Sequence, residues 1–439
     1  MLSRRRFLAT SSILTAASTG LCRPSASWSG ETIAPTSSPD QVAASYVARR
    51  RSNIRAKDPR IFLGYPANMN PPATGFEDWR NELKSVEIGQ RSSNNVGDPF
   101  YDRGTFGAHM LEADLIERFA RRYRFADGGA WGFVSNSGTD SNMHGAYIGR
   151  ALLQGRTGVM PRFYYTTEGH YSIQIIGDLL GLKAVRVDAN PDGSMNTTDL
   201  GEKLAANKEA PALVIATLGT TFKGAIDDID AIRQQLKGFD SYLHLDAALF
   251  GGYIHVTDYL AQFAQQGPAG ERYDSIAISC HKFFGYPGVA GLFIVGTPQF
   301  EEFRGLFSRV HDPAYISHVP GTITCSRDHV RAAECHYYCT AQSIAQQKED
   351  AKMILSNAAY LQGELMRHFP DLNPSRFDER SNTIYFDHRF DEKLKKKWML
   401  ATIQPTVDHP KALAHVVVMP HASRELLDDF LTDLNQYRR

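Results

Sequence analysis

The spacing of apolar residues along the chain predicts strands and helices in alternation. Short runs with the length and pattern expected of strands lie at 131–134, 162–166, 183–187, 212–221, 242–248, 274–279 and 291–295. Apolar residues at the spacing of one helical face lie before and between these runs, at 112–124, 143–153, 172–180, 198–206 and 230–238. This order predicts an α/β fold, in which helices cover both faces of a mostly parallel sheet.

The pattern changes after residue 295 and predicts a second, smaller domain. A helix is expected at 297–307, and the polar segment at 308–328 is typical of a mobile active-site loop. Further helices are predicted at 39–55, 330–363, 391–400 and 426–437, and further strands at 382–386 and 414–419. The expected organisation is a signal segment at 1–27, an N-terminal segment at 28–95, a large cofactor-binding domain at 96–329 and a small α+β domain at 330–439.

The first 27 residues have the features of an export signal. Arg4 and Arg5 precede a mildly apolar stretch at 7–21, and small residues at 25–27 offer a cleavage site. Because Ser and Thr dilute the apolar stretch, a bacterial twin-arginine signal is favoured. An ordinary secretory signal and a disordered tail are the alternatives. The prediction is a periplasmic or secreted protein.

Composition and charge exclude several classes of partner. The chain has 439 residues, with 48 Lys and Arg against 48 Asp and Glu, so it lacks the basic excess of a nucleic-acid-binding protein. Beyond the signal, no apolar run is long enough to span a bilayer. We expect a small-molecule ligand, and neither nucleic acid nor membrane as a partner.

Few cysteines remain once the signal segment is removed, and they predict no disulfide framework. Cys335 and Cys339 lie one helical turn apart with His336 between them, which leaves a metal site as one interpretation. No second pair of ligands is evident, and buried free thiols are the favoured interpretation. We therefore expect no metal.

Lys282 lies on a turn between two runs that read as buried strands, 274–279 and 291–295. Burial disfavours an ammonium group and lowers its pKa, which makes the amine a nucleophile. The main chemical use of such a lysine is a Schiff base with a carbonyl compound. The alternative is a lysine whose stem runs over the surface to solvent.

Polar residues lie at the carboxyl ends of several of the other predicted strands, where ligands bind in parallel sheets. They are Ser137, His170, Thr220 and Asp246. Ser137, Gly138 and Thr139 open a helix, which predicts an anion site, although Ser and Thr also occur there as simple helix caps. Taken alone, Asp246 is explained equally well as a helix cap, and His170 as a loop residue. Together with Lys282 they indicate a ligand-binding site.

The candidate site combines a lysine, a carboxylate, the imidazole ring of a histidine and an anion cradle. This combination suits pyridoxal 5′-phosphate. Lys282 would hold the aldehyde, Asp246 would keep the pyridine nitrogen protonated, and His170 would stack on the ring. Ser137, Gly138, Ser279 and His281 would donate to the phosphate. The predicted cofactor-binding residues are Ser137, Gly138, Thr139, His170, Thr220, Asp246, Ala248, Ser279, His281 and Lys282.

Five motifs resemble those of the group II pyridoxal-phosphate-dependent amino-acid decarboxylases. They are Ser-Asn-Ser-Gly-Thr-Asp-Ser-Asn (135–142), Glu-Gly-His-Tyr-Ser (168–172), Leu-Gly-Thr-Thr (218–221), His-Leu-Asp-Ala-Ala-Leu (244–249) and Ser-Cys-His-Lys (279–282). Within that group the chain is most similar to bacterial histidine decarboxylases and plant serine decarboxylases. The resemblance covers roughly residues 60–437. It departs from the family pattern at Asp140, Cys280, Cys325 and Asp328-His329.

The resemblance implies the aspartate aminotransferase-like fold, known as fold type I, and a homodimer. It makes Lys282 the cofactor lysine, Asp246 the pyridine partner and His170 a stacking and substrate-contacting residue. It also implies a tyrosine on the active-site loop as proton donor, and Tyr315 is the tyrosine in that loop. The alternative, which the sequence favours equally, is that Tyr315 only packs the loop. Lys282, His170 and Tyr315 are thus the predicted catalytic residues.

The predicted activity is decarboxylation of an L-amino acid to its amine, with histidine to histamine favoured. One alternative is a decarboxylase for serine or another amino acid, including an aldehyde-forming variant. The other is an exported, catalytically inactive protein that binds pyridoxal phosphate.

Overall fold

The computed structural model describes residues 38–56, 61–72, 74–91, 94–102, 107–126, 129–267, 270–309, 311, 321–340, 344–405 and 410–438. The chain divides into two units, residues 1–57 and residues 58–439. The described part of the first unit contains helix α1 (Pro39–Ala56), where a helix is predicted at 39–55. All other elements belong to the second unit. The finer domain boundaries given above stay predictions.

A seven-stranded sheet forms the centre of the second unit. In chain order the strands of this region are β1 (Ala130–Ser135), β2 (Arg162–Thr166), β3 (Lys183–Val187), β4 (Ala212–Thr217), β5 (Ser241–Asp246), β6 (Gln266–Gly267), β7 (Gly270–Glu271), β8 (Ser275–Ser279) and β9 (Gly291–Gly296). β6 and β7 form a separate hairpin. The order across the sheet is β1-β9-β8-β5-β4-β2-β3, and β9, which pairs antiparallel with both β1 and β8, runs in the opposite direction to the other six strands of this sheet. The mostly parallel sheet is confirmed.

Both faces of this sheet are buried, so it is the middle layer of the unit. Along β4, Ala212, Val214 and Ala216 belong to one hydrophobic cluster, whereas Leu213 and Ile215 belong to another. Successive side chains of a strand point to opposite faces, so the two clusters lie on the two sides of the sheet. The helices that supply each cluster therefore cover one face each.

Eight further α-helices lie in the described residues of this region. They are α2 (Phe76–Ser85), α3 (His109–Arg122), α4 (Gly138–Thr157), α5 (Ser172–Leu179), α6 (Thr197–Ala206), α7 (Ile229–Gln235), α8 (Gly251–Ile254) and α9 (Thr297–Phe307). α4, α5 and α9 contribute to the cluster of Leu213, and α3, α6, α7 and α8 contribute to the other. No described helix is both long enough and apolar enough to cross a membrane.

The described residues from 329 onward form a four-stranded antiparallel sheet with helices. Its helices are α10 (His329–Cys339), α11 (Ile344–His368), α12 (Glu392–Lys397) and α13 (Arg424–Tyr437). Its strands are β10 (Ser375–Arg376), β11 (Thr383–Asp387), β12 (Ala401–Ile403) and β13 (Leu413–Val417), in the order β10-β11-β13-β12. The expected mixture of helices and strands is present in this region.

The single helix predicted at 330–363 is wrong, because α10 ends at Cys339 and α11 begins at Ile344. Between them the backbone of Thr340 leaves the helical conformation, with φ −110° and ψ −141°, and its hydroxyl donates to the carbonyl oxygen of His336. A hydroxyl that binds the last turn of a helix competes with continuation of the backbone pattern. Apolar periodicity does not report this interaction.

Residues near the start of the second unit pack against the C-terminal sheet. The backbone N–H of Val417 donates to the carbonyl oxygen of Leu63 at 2.7 Å. A side chain on Gly64 would overlap backbone atoms at the start of β12, so the approach is close enough to require glycine. This contact places Tyr65 and Pro66 beside the cavity described below.

Gly132 on β1 should tolerate no side chain. A Cβ there would overlap the carbonyl oxygen of Phe293 in β9 and touch Ile116 at 3.0 Å. Gly132→Ala should therefore lower the free energy of unfolding by about 2–3 kcal/mol, since packed backbone has to move. Chemical denaturation measures this change.

Gly363→Ala is the matched control. Gly363 lies exposed in α11, and no described atom lies within 4 Å of its added Cβ. Its substitution should raise the free energy of unfolding by about 0.5–1 kcal/mol, because alanine is the better helix former. Equal effects of the two substitutions would contradict the packing described for β1.

Candidate active site

A cavity of about 380 Å³ opens at the carboxyl ends of the central strands. This volume lies within the ~300–1,000 Å³ that is usual for small-molecule sites. Most of the predicted cofactor-binding residues line it, namely Ser137, Gly138, Thr139, His170, Asp246, Ala248, Ser279, His281 and Lys282. The structure thus brings together residues that are up to 145 positions apart in the sequence.

Lys282 and Asp246 meet in this cavity because their strands are neighbours. Asp246 ends β5 and pairs with Ala277 of β8, and Lys282 lies on the turn that follows β8. Loss of water around Lys282 lowers the pKa of its amine, and the carboxylate of Asp246 opposes this shift. A larger fraction of the amine is therefore neutral, which is the nucleophilic form.

Asp246 is 3% exposed, and one of its oxygens has a fixed role. Oδ1 accepts a hydrogen bond from the backbone N–H of Ala248 at 3.1 Å. No described residue donates to Oδ2, so this oxygen remains available to an N–H group in the cavity. The arrangement suits a carboxylate that holds a proton on a ligand nitrogen.

His170 is held in one tautomer by Ser172. The backbone N–H of Ser172 lies 3.3 Å from Nδ1 of His170, and the hydroxyl of Ser172 lies 2.8 Å from it. A backbone N–H can only donate, so Nδ1 accepts and Nε2 carries the ring proton. Burial lowers the pKa of His170, and Asp246 raises it less than burial lowers it. His170 is thus a neutral ring that offers one N–H.

The start of α4 forms the anion cradle. Ser137 is the N-cap, and its Oγ accepts a hydrogen bond from the N–H of Asp140 at 3.2 Å. The first N–H groups of a helix lack partners within the helix and carry partial positive charge. A Cβ on Gly138 would lie 2.5 Å from Oγ of Ser279, so glycine is needed for α4 to approach β8. These features suit a phosphate.

One ring nitrogen of His281 is already hydrogen-bonded within the protein. Its Nδ1 lies 3.0 Å from the carbonyl oxygen of Ala290, so Nδ1 donates and Nε2 of the neutral ring can only accept. Burial lowers the pKa of His281. A hydrogen bond from Nε2 to a phosphate therefore requires the protonated ring, which the negative charge of a bound phosphate would favour.

Thr220, which the sequence predicts as a cofactor residue, does not line the cavity. Its N–H donates to the carbonyl oxygen of Ala225 at 2.8 Å, and its Oγ1 accepts from the N–H of Ala225 at 2.9 Å. Both groups are used within the turn that follows β4. The adjacent Gly219, at φ +97°, and Thr221 line the cavity instead.

Further residues that line the cavity are not among the predicted site residues. They are Tyr65, Pro66, Asn142, Tyr171, Ser172, Thr217, Leu249, Val289 and Val417. Some lie in motifs that resemble the family, but Val289 and Val417 are ordinary apolar residues that distant parts of the fold bring to the site. Tyr315 lies outside the described residues.

Comparison with known proteins identifies the family. Residues 157–299 match the pyridoxal-dependent decarboxylase conserved domain. The histidine decarboxylase of Morganella morganii is 31% identical over 374 residues, which is 84% of this chain and 93% of that protein. Serine decarboxylase 3 of Oryza sativa subsp. japonica is 31% identical over 360 residues, 80% of this chain and 75% of that protein. The chain belongs to the pyridoxal-dependent decarboxylase family.

Two further similarities agree with this assignment. The histidine decarboxylase of Solanum lycopersicum is 29% identical over 387 residues, 86% of this chain and 85% of that protein. The crystal structure of L-methionine decarboxylase from Streptomyces sp.590 superposes with a TM-score of 0.76 at 20% identity, over 91% of this chain and 95% of that one. The fold-type I architecture is confirmed, and the enzyme is a pyridoxal-phosphate-dependent carboxy-lyase.

The residues present fit pyridoxal 5′-phosphate. The cavity combines an amine with a lowered pKa on Lys282, a carboxylate oxygen of Asp246 open to an N–H donor, and the start of α4, which Gly138 allows to pack closely against Ser279. Bound pyridoxal phosphate supplies an electron sink for the bond broken at the α-carbon of the amino acid. The chemistry required of the protein is to hold this group and to control protons around it.

Each residue would have a defined task with the cofactor bound. Lys282 would hold the aldehyde through Nζ and release it to the amine of the substrate. Asp246 would keep the pyridine nitrogen protonated through Oδ2. His170 would cover the site with a neutral ring and offer Nε2–H to a bound oxygen. The N–H groups at the start of α4 would orient the phosphate.

Lys282→Ala should abolish turnover and the visible absorbance band of lysine-bound pyridoxal phosphate. The reason is that no other lysine is among the described residues lining the cavity. Absorbance spectroscopy of the purified protein measures the band, and assay of carbon dioxide release measures turnover.

Lys223→Met is the matched control, because Lys223 is also buried but its Nζ is bound to Glu168 at 2.8 Å. This substitution can cost stability but should leave the absorbance band in place. Wild-type turnover in Lys282→Ala, or equal loss of the band in both variants, would contradict the role of Lys282.

Proposed function

We propose that this enzyme decarboxylates an amino acid with an uncharged side chain, with histidine as the preferred substrate and histamine as the product. The observation that carries the proposal is the character of the cavity wall. Apart from Asp246, Lys282 and two histidines, the described wall consists of uncharged residues. The apolar ones include Pro66, Leu249, Val289 and Val417.

The wall disfavours charged substrates. Asp246 and Lys282 are committed to the cofactor, so no described lining residue offers a carboxylate to a basic side chain or a cation to an acidic one. An unpaired charge placed against apolar residues loses water without compensation. Glutamate, lysine and ornithine are therefore poor matches.

The wall also suits the loss of the α-carboxylate. Binding of this carboxylate as in an aminotransferase would require a guanidinium group. No arginine is among the lining residues that the structure describes. A carboxylate in a poorly solvating site becomes neutral carbon dioxide when it leaves, which relieves the cost of its burial. The N–H of His170 Nε2 is one donor that can orient it.

Among uncharged amino acids, histidine and serine are the two specific candidates. Both activities occur among the relatives named above, at about equal identity. The mainly apolar wall favours the larger imidazole ring, whose faces can contact Tyr65 and Tyr171 at the cavity mouth. A serine side chain would bury less apolar surface in the same cavity.

Release of labelled carbon dioxide from a panel of L-amino acids tests this proposal. We expect the highest kcat/KM for histidine, with serine second and glutamate and lysine at least about 100-fold lower, the cost of one unpaired buried charge. A maximum at glutamate or lysine would overturn the argument from the wall. A protein that binds the cofactor but acts on no member of the panel would favour an inactive binding protein.

Tyr315 is proposed as the proton donor to the substrate α-carbon after carbon dioxide has left. A tyrosine hydroxyl on a closing loop can reach that carbon and exclude water. Tyr315→Phe should keep the cofactor absorbance before turnover, slow amine release and raise the fraction of aldehyde product, because a proton delivered to the cofactor carbon instead would leave the amino group on the cofactor. Chromatography of the products after a fixed number of turnovers measures this fraction. Normal amine release without aldehyde would remove Tyr315 from the mechanism.

A homodimer and export through a twin-arginine-type signal complete the proposal. The dimer is supported by the resemblance to group II decarboxylases, and export is supported by Arg4, Arg5 and the apolar stretch that follows them. Light scattering of the purified enzyme and fractionation of cells that express the whole chain test the two statements.

A further inference from the structure

Four buried polar side chains form a line of hydrogen bonds from the interior of the central sheet to the cavity. Tyr242 and His244 lie on β5, Ser275 lies on β8 and Asn142 lies on α4. Asn142 is 2% exposed and the other three are fully buried. His244 and Ser275 are directly opposite each other in the pairing of β5 with β8. Buried polar groups of this kind are costly unless every member is satisfied.

The hydrogen bonds of this line all point the same way, with each side chain donating to the next one toward Asn142. His244 Nε2 lies 3.0 Å from Oδ1 of Asn142, which can only accept, so Nε2 carries the ring proton. Burial lowers the pKa of His244 to about 3, so the ring is neutral and Nδ1 accepts. The hydroxyl of Ser275, 2.7 Å away, donates to Nδ1 and itself accepts from the hydroxyl of Tyr242 at 2.9 Å.

This direction fixes the orientation of the Asn142 amide. Because Oδ1 faces His244, the amide nitrogen Nδ2 is on the other side of the group. Asn142 lines the cavity, and within the described part of the chain Nδ2 makes no hydrogen bond. An amide that is free on one side and fixed on the other is a donor prepared for a ligand.

The hydrogen bond between His244 and Asn142 requires a close approach of α4 to β5. Gly145 lies on α4 beside Asn142, and a Cβ there would overlap Nδ1 of His244. Glycine at 145 thus allows α4 to approach β5 closely enough for His244 to reach Asn142. His244 also lies two residues before Asp246 on β5, so the two side chains are on the same face of the strand.

We propose that Asn142 binds pyridoxal phosphate through Nδ2, as a donor to an anionic oxygen of the cofactor, and that His244 and Ser275 are positioning residues for this amide. His244 and Ser275 do not touch the cofactor; they act by setting which way the amide points. The proposal rests on the cofactor and is independent of which amino acid is the substrate.

The test is the affinity of the cofactor-free protein for added pyridoxal 5′-phosphate, followed by fluorescence quenching. Asn142→Leu keeps the size of the side chain and should raise the Kd about 10- to 100-fold, the effect of losing a hydrogen bond to a charged oxygen. His244→Phe should raise the Kd in the same direction, because the amide is no longer held. An unchanged Kd in Asn142→Leu would overturn the proposal.

The combination of variants distinguishes positioning from a general structural effect. If His244 acts through Asn142, the double variant should bind no more weakly than Asn142→Leu, within about twofold. His244→Gln should restore near wild-type affinity, because the amide nitrogen of glutamine can take the place of Nε2. Multiplied effects in the double variant, or no recovery with glutamine, would overturn the positioning role.

Two further variants test whether a change in Kd comes from the line of hydrogen bonds that ends at Asn142. Ser275→Ala removes the hydroxyl that fixes the tautomer of His244, and it should raise the Kd about 3- to 10-fold even if His244→Phe does not fold. Tyr164→Phe is the matched control, since its buried hydroxyl on β2 has no partner among the described residues and does not line the cavity. A rise in Kd for Tyr164→Phe as large as that for Ser275→Ala would contradict the proposal.

Discussion

The pairing of β5 with β8 is the constraint on which the site depends. These parallel neighbours end at the same edge of the sheet, and that edge carries a carboxylate on Asp246 and an amine on Lys282. Burying either charge alone would be costly, and each lowers the cost for the other. The Asp246 carboxylate limits the fall in the Lys282 pKa that burial causes. The result is an amine that is both reactive and tolerated within the core.

The packing of α4 against β5 and β8 serves the same edge. Gly138 permits the approach to Ser279, and Gly145 permits the approach to His244. One helix thereby supplies the anion cradle at its start and, one turn later, the amide of Asn142. A sheet buried on both faces holds these elements with little freedom, since a shift of any strand would disturb two hydrophobic clusters.

The sequence predicts the parts of the site that depend on local pattern. Lys282 and Asp246 can be found because each follows a buried apolar run, and ligands bind at the carboxyl ends of such strands. Thr220 follows the same rule, yet its side chain is used within its own turn. Val417 and Tyr65 reach the cavity through contacts between distant segments, which periodicity cannot report. The break at Thr340 and the line from Ser275 to Asn142 likewise depend on single hydrogen bonds.

The central claim is that Asp246 holds a proton on the pyridine nitrogen and so makes the bound cofactor an electron sink. The most direct measurement combines nitrogen-15 NMR of labelled pyridoxal phosphate with single-turnover decarboxylation in Asp246→Asn. The account predicts that the cofactor stays bound, the pyridine nitrogen loses its proton and the rate falls by about 10²–10³-fold or more. A nitrogen that stays protonated, with an unchanged rate, would contradict it.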